Sequence, residues 1–205
     1  MALHAIQTAG EHRVAALLTT ITEEYDRISM HGVRRVLLER QAASIGLPLQ
    51  AVLIPPQCVN VIYEERMKQA LTENYARGVR RVVFGDIFLE DLRVYRERNL
   101  ALLGMEALFP LWKRDTRELA RDFVNQGFRA ITVCVDPRVL DPSFAGRELD
   151  ESFFADLPPG VDPCGENGEF HTFVYAGPMF RHDLSVEVGE IVSRDGFVFA
   201  DLSLK

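Results

Sequence analysis

Apolar residues gather in five short runs, Val14–Leu18, Leu49–Ile54, Val79–Phe84, Ala107–Leu111 and Ala130–Val135. Nearly every position within a run is apolar, without the in–out alternation of a strand that has one wet face. The pattern predicts strands buried on both sides. Between the runs, apolar residues return every three to four positions. Tyr63, Met67, Ala70, Leu71 and Tyr75 form one stripe, and Leu89, Leu92, Tyr95, Leu102 and Leu103 another, which is helical spacing. Asp115 with Glu118 has the form of a capping box ahead of Leu119 and Phe123. Gly46, Gly78, Gly104 and Gly127 each follow a helical stretch, where a left-handed residue ends a helix at least steric cost. Helices alternating with buried strands predict an α/β fold with a parallel, doubly wound, Rossmann-like sheet.

The two ends of the chain depart from this pattern. Ala2–Ala9 followed by Gly10 reads as the tail of one more helix, with no strand before it. Sheets of this kind open with a strand and a glycine-rich turn whose amides cradle phosphates. The sequence contains no GxGxxG, no GxxxxGK[ST] and no SGGxDS run. The expectation is therefore a fold whose first strand and phosphate loop are missing. Beyond Val135 prolines become frequent, and Leu184–Val192 and Phe197–Leu204 read as a hairpin turning at Arg194-Asp195-Gly196. Residues 1–135 are expected to form a nucleotide-binding α/β domain and residues 136–205 a small β-containing substrate part.

Composition narrows the function classes. Of the 205 residues, 47% are hydrophobic and 26% charged, the balance of a globular chain. No apolar run approaches the roughly 18 residues that span a bilayer, and a basic secretion leader is not seen at Met1–Gln7. The net charge of −7, with basic residues in scattered pairs, disfavours a phosphate-backbone binder. Cys58, Cys134 and Cys164 lie far apart without CxxC spacing, which predicts a reduced, cytoplasmic chain without disulfide or zinc site. Neither nucleic acid nor membrane is an expected partner.

In a parallel sheet, ligands sit beyond the C-terminal strand ends. The candidates there are Thr19, Thr20 and Thr22, then Asp26, Ser29, Met30, His31 and Gly32, then Gly85-Asp86-Ile87 and Asp91, then Trp112 and Lys113, and Asp136. Asp86 can accept bonds from a ribose or hold magnesium, or it can cap the helix opening near Leu89. His31 can polarise a phosphate or sit beside a helix start, and Trp112 can wall a pocket or fill the core. The densest segment runs from Asp162 through Cys164, Gly165, Glu166, Asn167, Gly168, Glu169 and His171 to Thr172. Its carboxylates on a glycine-flexed loop suit gripping an amine or general-base work on one. As a metal site it is poor, because Cys164 and His171 stand alone, separated by six residues.

Four of these stretches, Arg27–Val33, Gly85–Asp91, Phe109–Trp112 and Asp162–Thr172, resemble the bacterial branch of the diphthine–ammonia ligase family, and the resemblance runs over essentially the whole chain. These are ATP-pyrophosphatase-domain proteins of the adenine nucleotide alpha hydrolase group. The resemblance implies a HUP-type sheet binding ATP and Mg2+, and a C-terminal part holding a small-molecule or protein-borne carboxylate. It implies adenylation of that carboxylate, loss of pyrophosphate, and displacement of AMP by ammonia to give an amide. By position it places Thr19, Thr20, Met30, His31, Gly85 and Asp86 at the nucleotide. It places Glu166, Asn167, Gly168, Glu169 and His171 at the substrate, with Glu166 and Glu169 catalytic. Asn167 replaces a glycine of the family's Glu-Gly-Gly-Glu motif, and His171 stands where archaeal and eukaryotic members carry glutamate. Family members open with a strand and an SGGKDS loop that fall before Met1. That strand belongs between the runs at Val14–Leu18 and Val79–Phe84, and each buried group left unpaired by its loss costs about 1–3 kcal/mol. The expectation is a longer native protein, or a sheet that pairs with another copy. A non-catalytic binding remnant of the same fold is the alternative reading. A tRNA-thiolating relative fits less well, given the acidic charge and the lack of a cysteine pair.

Overall fold

The computed structural model describes residues 1–205. Helix α1 (Ala2–Ala9) leads into β1 (Leu17–Thr22), the short β2 (Arg27–Ile28), α2 (Arg35–Ile45), β3 (Leu49–Ile54), α3 (Asn60–Ala76), β4 (Arg81–Val83), α4 (Glu90–Ala101), β5 (Glu106–Leu108), α5 (Thr116–Asn125) and β6 (Arg129–Val135). A single 3-10 turn (Pro142–Phe144) and α6 (Glu151–Asp156) precede β7 (Phe170–Ala176), β8 (Val186–Arg194) and β9 (Phe197–Leu204). The fold is α/β with parallel pairs, β1 with β3 and β4 with β5.

The helices form where the three-to-four spacing puts them. The Asp115 carboxylate caps α5 by accepting from the Glu118 N–H at 2.9 Å. The hairpin also forms: Asp195 and Gly196 both have positive φ, 52° and 81°, between the paired Arg194 and Phe197. Those angles suit the tight two-residue turn that matches strand twist.

The parallel strands fall into two separate pieces, β2-β1-β3 and β4-β5, with the break between β1 and β4 at the place the sequence reading gives to the missing strand. The last run of the N-terminal part differs from the expectation. The run at Ala130–Val135, expected as a fifth parallel strand, pairs antiparallel with β7 and β9 in a sheet ordered β7-β6-β9-β8. The physical reason is that continuous hydrophobicity reports burial on both faces and not strand direction. All six residues from Ala130 to Val135 are buried. One cover is α2, whose Leu37, with neighbouring Val33, packs among Ile131, Val133, Phe173 and Leu202. Another cluster, Leu140, Phe144 and Phe153, closes on Val135, Phe170 and Val198. The N-terminal half thus supplies part of the C-terminal sheet's core. The Ser44 hydroxyl donating to the His182 carbonyl at 2.5 Å reinforces the join.

Candidate functional site

The Asp162–Thr172 segment is a turn held from within. Glu169 is buried, and its carboxylate accepts from the Asp162 N–H (3.0 Å), the Asn167 side-chain amide (2.9 Å) and the Asn167 N–H (3.0 Å). Burial pushes the Glu169 carboxyl up, but these donors outweigh it and hold it below the usual range. Asp162 accepts in turn from the N–H groups of Cys164 and Glu166, at 3.2 and 3.0 Å. Gly165 has φ 66°, and a Cβ there would lie 2.7 Å from the Phe170 carbonyl oxygen. Asn167 needs no positive φ, so the position tolerates a side chain, and the amide is used to hold Glu169.

Two residues of this turn reach the N-terminal half. Glu166 Oε1 accepts from the Ile87 N–H at 2.6 Å and the Phe88 N–H at 3.4 Å, directly after Gly85-Asp86. Burial raises the Glu166 carboxyl above its usual range, the Ile87 and Phe88 amides draw it back, and the charges of Asp86 and Asp162 add to the rise. The His171 ring stacks on His31, with centroids 4.4 Å apart and planes 28° from parallel. Burial drives the His31 imidazole down to about 4; His171 lowers it further, while a hydrogen bond to the Thr172 backbone opposes the fall. Burial also lowers His171. Both rings are neutral at pH 7, so the stack carries no charge repulsion.

Around Asp86 the structure adds residues the sequence reading passed over. Asp86 is buried and pairs with Arg96 of α4, with Nη2 donating to Oδ1 at 3.2 Å and Nε 2.9 Å from Oδ2. The Arg96 guanidinium lies 4.3 Å above the Phe84 ring. Phe84 stacks on Phe109 at 5.5 Å, Phe109 meets Trp112 at 5.8 Å, and Arg93 lies over Trp112 at 4.7 Å. Asp86 is therefore held by an arginine and does not cap α4. Trp112 is half-buried at the end of an aromatic row. Two arginines three apart on a helix, beside aromatics at strand ends, were the available signal.

The other expected residues are more dispersed. Thr19 and Thr20 lie inside β1, in register with Ala51 and Val52 of β3, and not beyond its end. Consecutive strand residues face opposite sides, so one ligand meets only one of them. Met30 is exposed, with a left-handed φ of 67°. Gly85 is exposed beside Asp86. Asp136 is gripped by Arg138 through both oxygens. It lines a cavity of about 430 Å3 together with Val161, Asn167 and Glu169, on the rim of the turn. Cys164 donates to the Thr116 carbonyl at 3.3 Å, and burial pushes its thiol up to about 12, so it is no thiolate at neutral pH. No three His, Cys, Asp or Glu side chains converge as a metal-binding group. No helix is long and apolar enough to cross a membrane.

Comparison with known proteins bears on what this turn is for. Residues 115–201 match the family described as the diphthamide synthase C-terminal domain, a range that contains the whole turn. Over 124 residues the chain is 31% identical to a diphthine–ammonia ligase of Bos taurus, covering 58% of this chain and 46% of that protein. Its human counterpart is 30% identical over the same length. A Danio rerio diphthine–ammonia ligase is 27% identical over 197 residues, covering 87% of this chain and 76% of that one. The alignments thus span just under half the length of the bovine and human relatives.

Proposed function

We propose, from its similarity to diphthine–ammonia ligases, that the chain serves an ATP-dependent amide ligase. In the first step a substrate carboxylate oxygen attacks the α-phosphorus of ATP and pyrophosphate leaves. In the second, ammonia attacks the acyl carbon of the acyl-adenylate, AMP leaves with the bonding pair of the acyl–oxygen bond, and one N–H proton is lost. Residues 1–135 supply the nucleotide part, of HUP type, and residues 136–205 the substrate part, with β6 shared between them. The reaction's location is the cytoplasm.

One observation carries this reading. The turn expected at the substrate touches both segments expected at the nucleotide, Glu166 at Ile87 and Phe88 beside Asp86, and His171 at His31. An enzyme that joins a nucleotide to a second substrate needs its two binding segments in one place.

Roles follow from the geometry. The two bonds to Glu166 fall on Oε1, which leaves Oε2 to accept an ammonia N–H and take its proton. A carboxyl raised by burial is a better base for this. Glu169 has both oxygens committed and acts through the turn it shapes. Asp86 adjoins the Ile87 amide that Glu166 holds, and it would meet the nucleotide through a ribose hydroxyl or a magnesium ion that arrives with the phosphates and needs few protein ligands. Magnesium would neutralise the departing pyrophosphate. The stacked His31–His171 pair joins the segment expected at the nucleotide to the one expected at the substrate. The substrate is a carboxylate, small or peptide-borne, with ammonia as nitrogen donor.

The test is release of AMP and pyrophosphate from magnesium-ATP with ammonia and a panel of carboxylates, comparing the chain with its Glu166→Gln variant. Release that depends on a carboxylate and falls by roughly a hundredfold in E166Q, the size of a lost general base, supports the ligase. If neither protein binds nucleotide, a binding-only role replaces it.

A further inference from the structure

The backbone of Glu166 is held as well as its side chain, and one buried aspartate does the holding. Asp162 Oδ2 accepts from the Glu166 N–H at 3.0 Å and from the Cys164 N–H at 3.2 Å. An aspartate in a turn ordinarily reaches the amide two residues on, which here is Cys164. The bond to Glu166, four residues on, needs the chain to fold back sharply between them. Gly165 makes that reversal, with φ 66° and a Cβ site 2.7 Å from the Phe170 carbonyl oxygen. Asp162 is itself fixed on two other sides. Its N–H donates to Glu169 Oε1 at 3.0 Å, and its carbonyl accepts from the Gly165 N–H at 2.9 Å. Asp162 is buried, so little water competes for the two amides.

Glu166 is therefore tethered at both ends. Its N–H is bound to Asp162, and its Oε1 lies 2.6 Å from the Ile87 N–H, 79 positions away in sequence. A glutamate side chain is flexible, and fixing both of its ends leaves few staggered rotamers and few directions for Oε2. We infer that Asp162 is a positioning residue: by holding the Glu166 N–H through one oxygen, it sets where Oε2 of Glu166 points in the site. The inference rests on the reading of Glu166 as the base for ammonia and adds the residue that aims it. Both bonds fall on Oδ2, so asparagine can keep them while giving up the charge. Alanine gives up both.

The backbone amide signal of Ile87, in protein isotopically labelled at the isoleucine nitrogens, reports the tether without any substrate. Ile87→Val assigns the signal by removing it, and Glu166→Ala shows where it moves when the tether is lost. Asp162→Ala is expected to move it in the same direction as Glu166→Ala, and Asp162→Asn to leave it near the parent's position. In turnover, D162A is expected to lower kcat by roughly a hundredfold, the penalty of a reacting group displaced by about 1 Å, with KM for ATP little changed. D162N is expected to restore most of that loss. A D162A signal equal to the parent's overturns the inference, whatever the turnover. So does a D162A kcat equal to the parent's when E166Q has lost turnover, and so does a D162N signal displaced as far as that of D162A, which would assign the effect to charge. If Glu166→Ala leaves the Ile87 signal in place, the tether is absent and the inference fails with it. If D162A moves the signal while E166Q turns over like the parent, the positioning holds and the base reading alone fails. Should D162A unfold in a thermal scan, Asp162→Ser, a weaker acceptor for the same turn, decides by the same two readings. A parent-like signal and kcat then count against the inference, and a displaced signal with lowered kcat supports it.

Discussion

Glu166 and Glu169 stand three residues apart in one turn, and their surroundings separate them. Glu169 is enclosed by three donors and kept below the usual carboxyl range. Glu166 is shared with the Ile87 backbone and raised. Replacing Glu169 by alanine would leave the Asp162 and Asn167 N–H groups without an acceptor, at about 1–3 kcal/mol for each buried orphan. Urea unfolding of E169A should therefore show a loss of about 3 kcal/mol, and a change under about 0.5 kcal/mol would contradict the assigned geometry. The sequence identified both glutamates as chemistry-bearing residues, since carboxylates between glycines are conspicuous. It did not separate their roles, because that depends on which donors the fold brings to each. Arg96 was not legible for the same reason: one arginine among several on α4 acquires meaning only when Asp86 and Phe84 lie beneath it.

At the level of the element, the turn from Asp162 to Thr172 depends on two glycines with different constraints. Gly165 combines a left-handed φ of 66° with a Cβ site 2.7 Å from the Phe170 carbonyl, whereas Gly168 has φ 84° and open space around it. Alanine at 168 meets only the left-handed strain, about 1–2 kcal/mol. Alanine at 165 must also displace backbone, so G165A should melt lower than G168A by several degrees and, with Glu166 misplaced, lose the proposed ligase turnover. Equal melting temperatures would mean the turn adjusts freely. Helices were the most legible elements, since their period is local and repeated. Strand ends were less so: the run at Val14–Leu18 became β1 at Leu17–Thr22, which moves Thr19 and Thr20 from a loop into the strand.

Across the whole molecule, the two halves are tied at several points distant in sequence. Asp201 of β9 binds Arg27 at 2.8 Å and Arg34 at 2.5 Å, joining the β2–α2 segment to the C-terminal sheet. The Arg34 hydrogen bond leads in drawing the Asp201 carboxyl down to about 2, burial opposes it, and Arg27 adds to the fall. A carboxyl lowered on folding contributes its stability in full above the unfolded value near 4, and loses it as pH falls toward 2. D201N should therefore cost about 1 kcal/mol at pH 7, given how exposed Arg34 is to screening. The difference from the parent should vanish in unfolding measured near pH 2. A difference that persists there would assign the stabilisation to packing instead.

The sequence by itself determined the helices, the hydrophobic runs that become strands, the closing hairpin and the residue types of the Asp162–Thr172 turn. These rest on local periodicity and on turn chemistry read over a few residues. Only the tertiary structure decided the direction of β6 and the meeting of His171 with His31 and of Glu166 with Ile87. A buried strand has the same composition whichever way its neighbours run. Pairs 79 and 140 residues apart are brought together by packing, which no local pattern encodes.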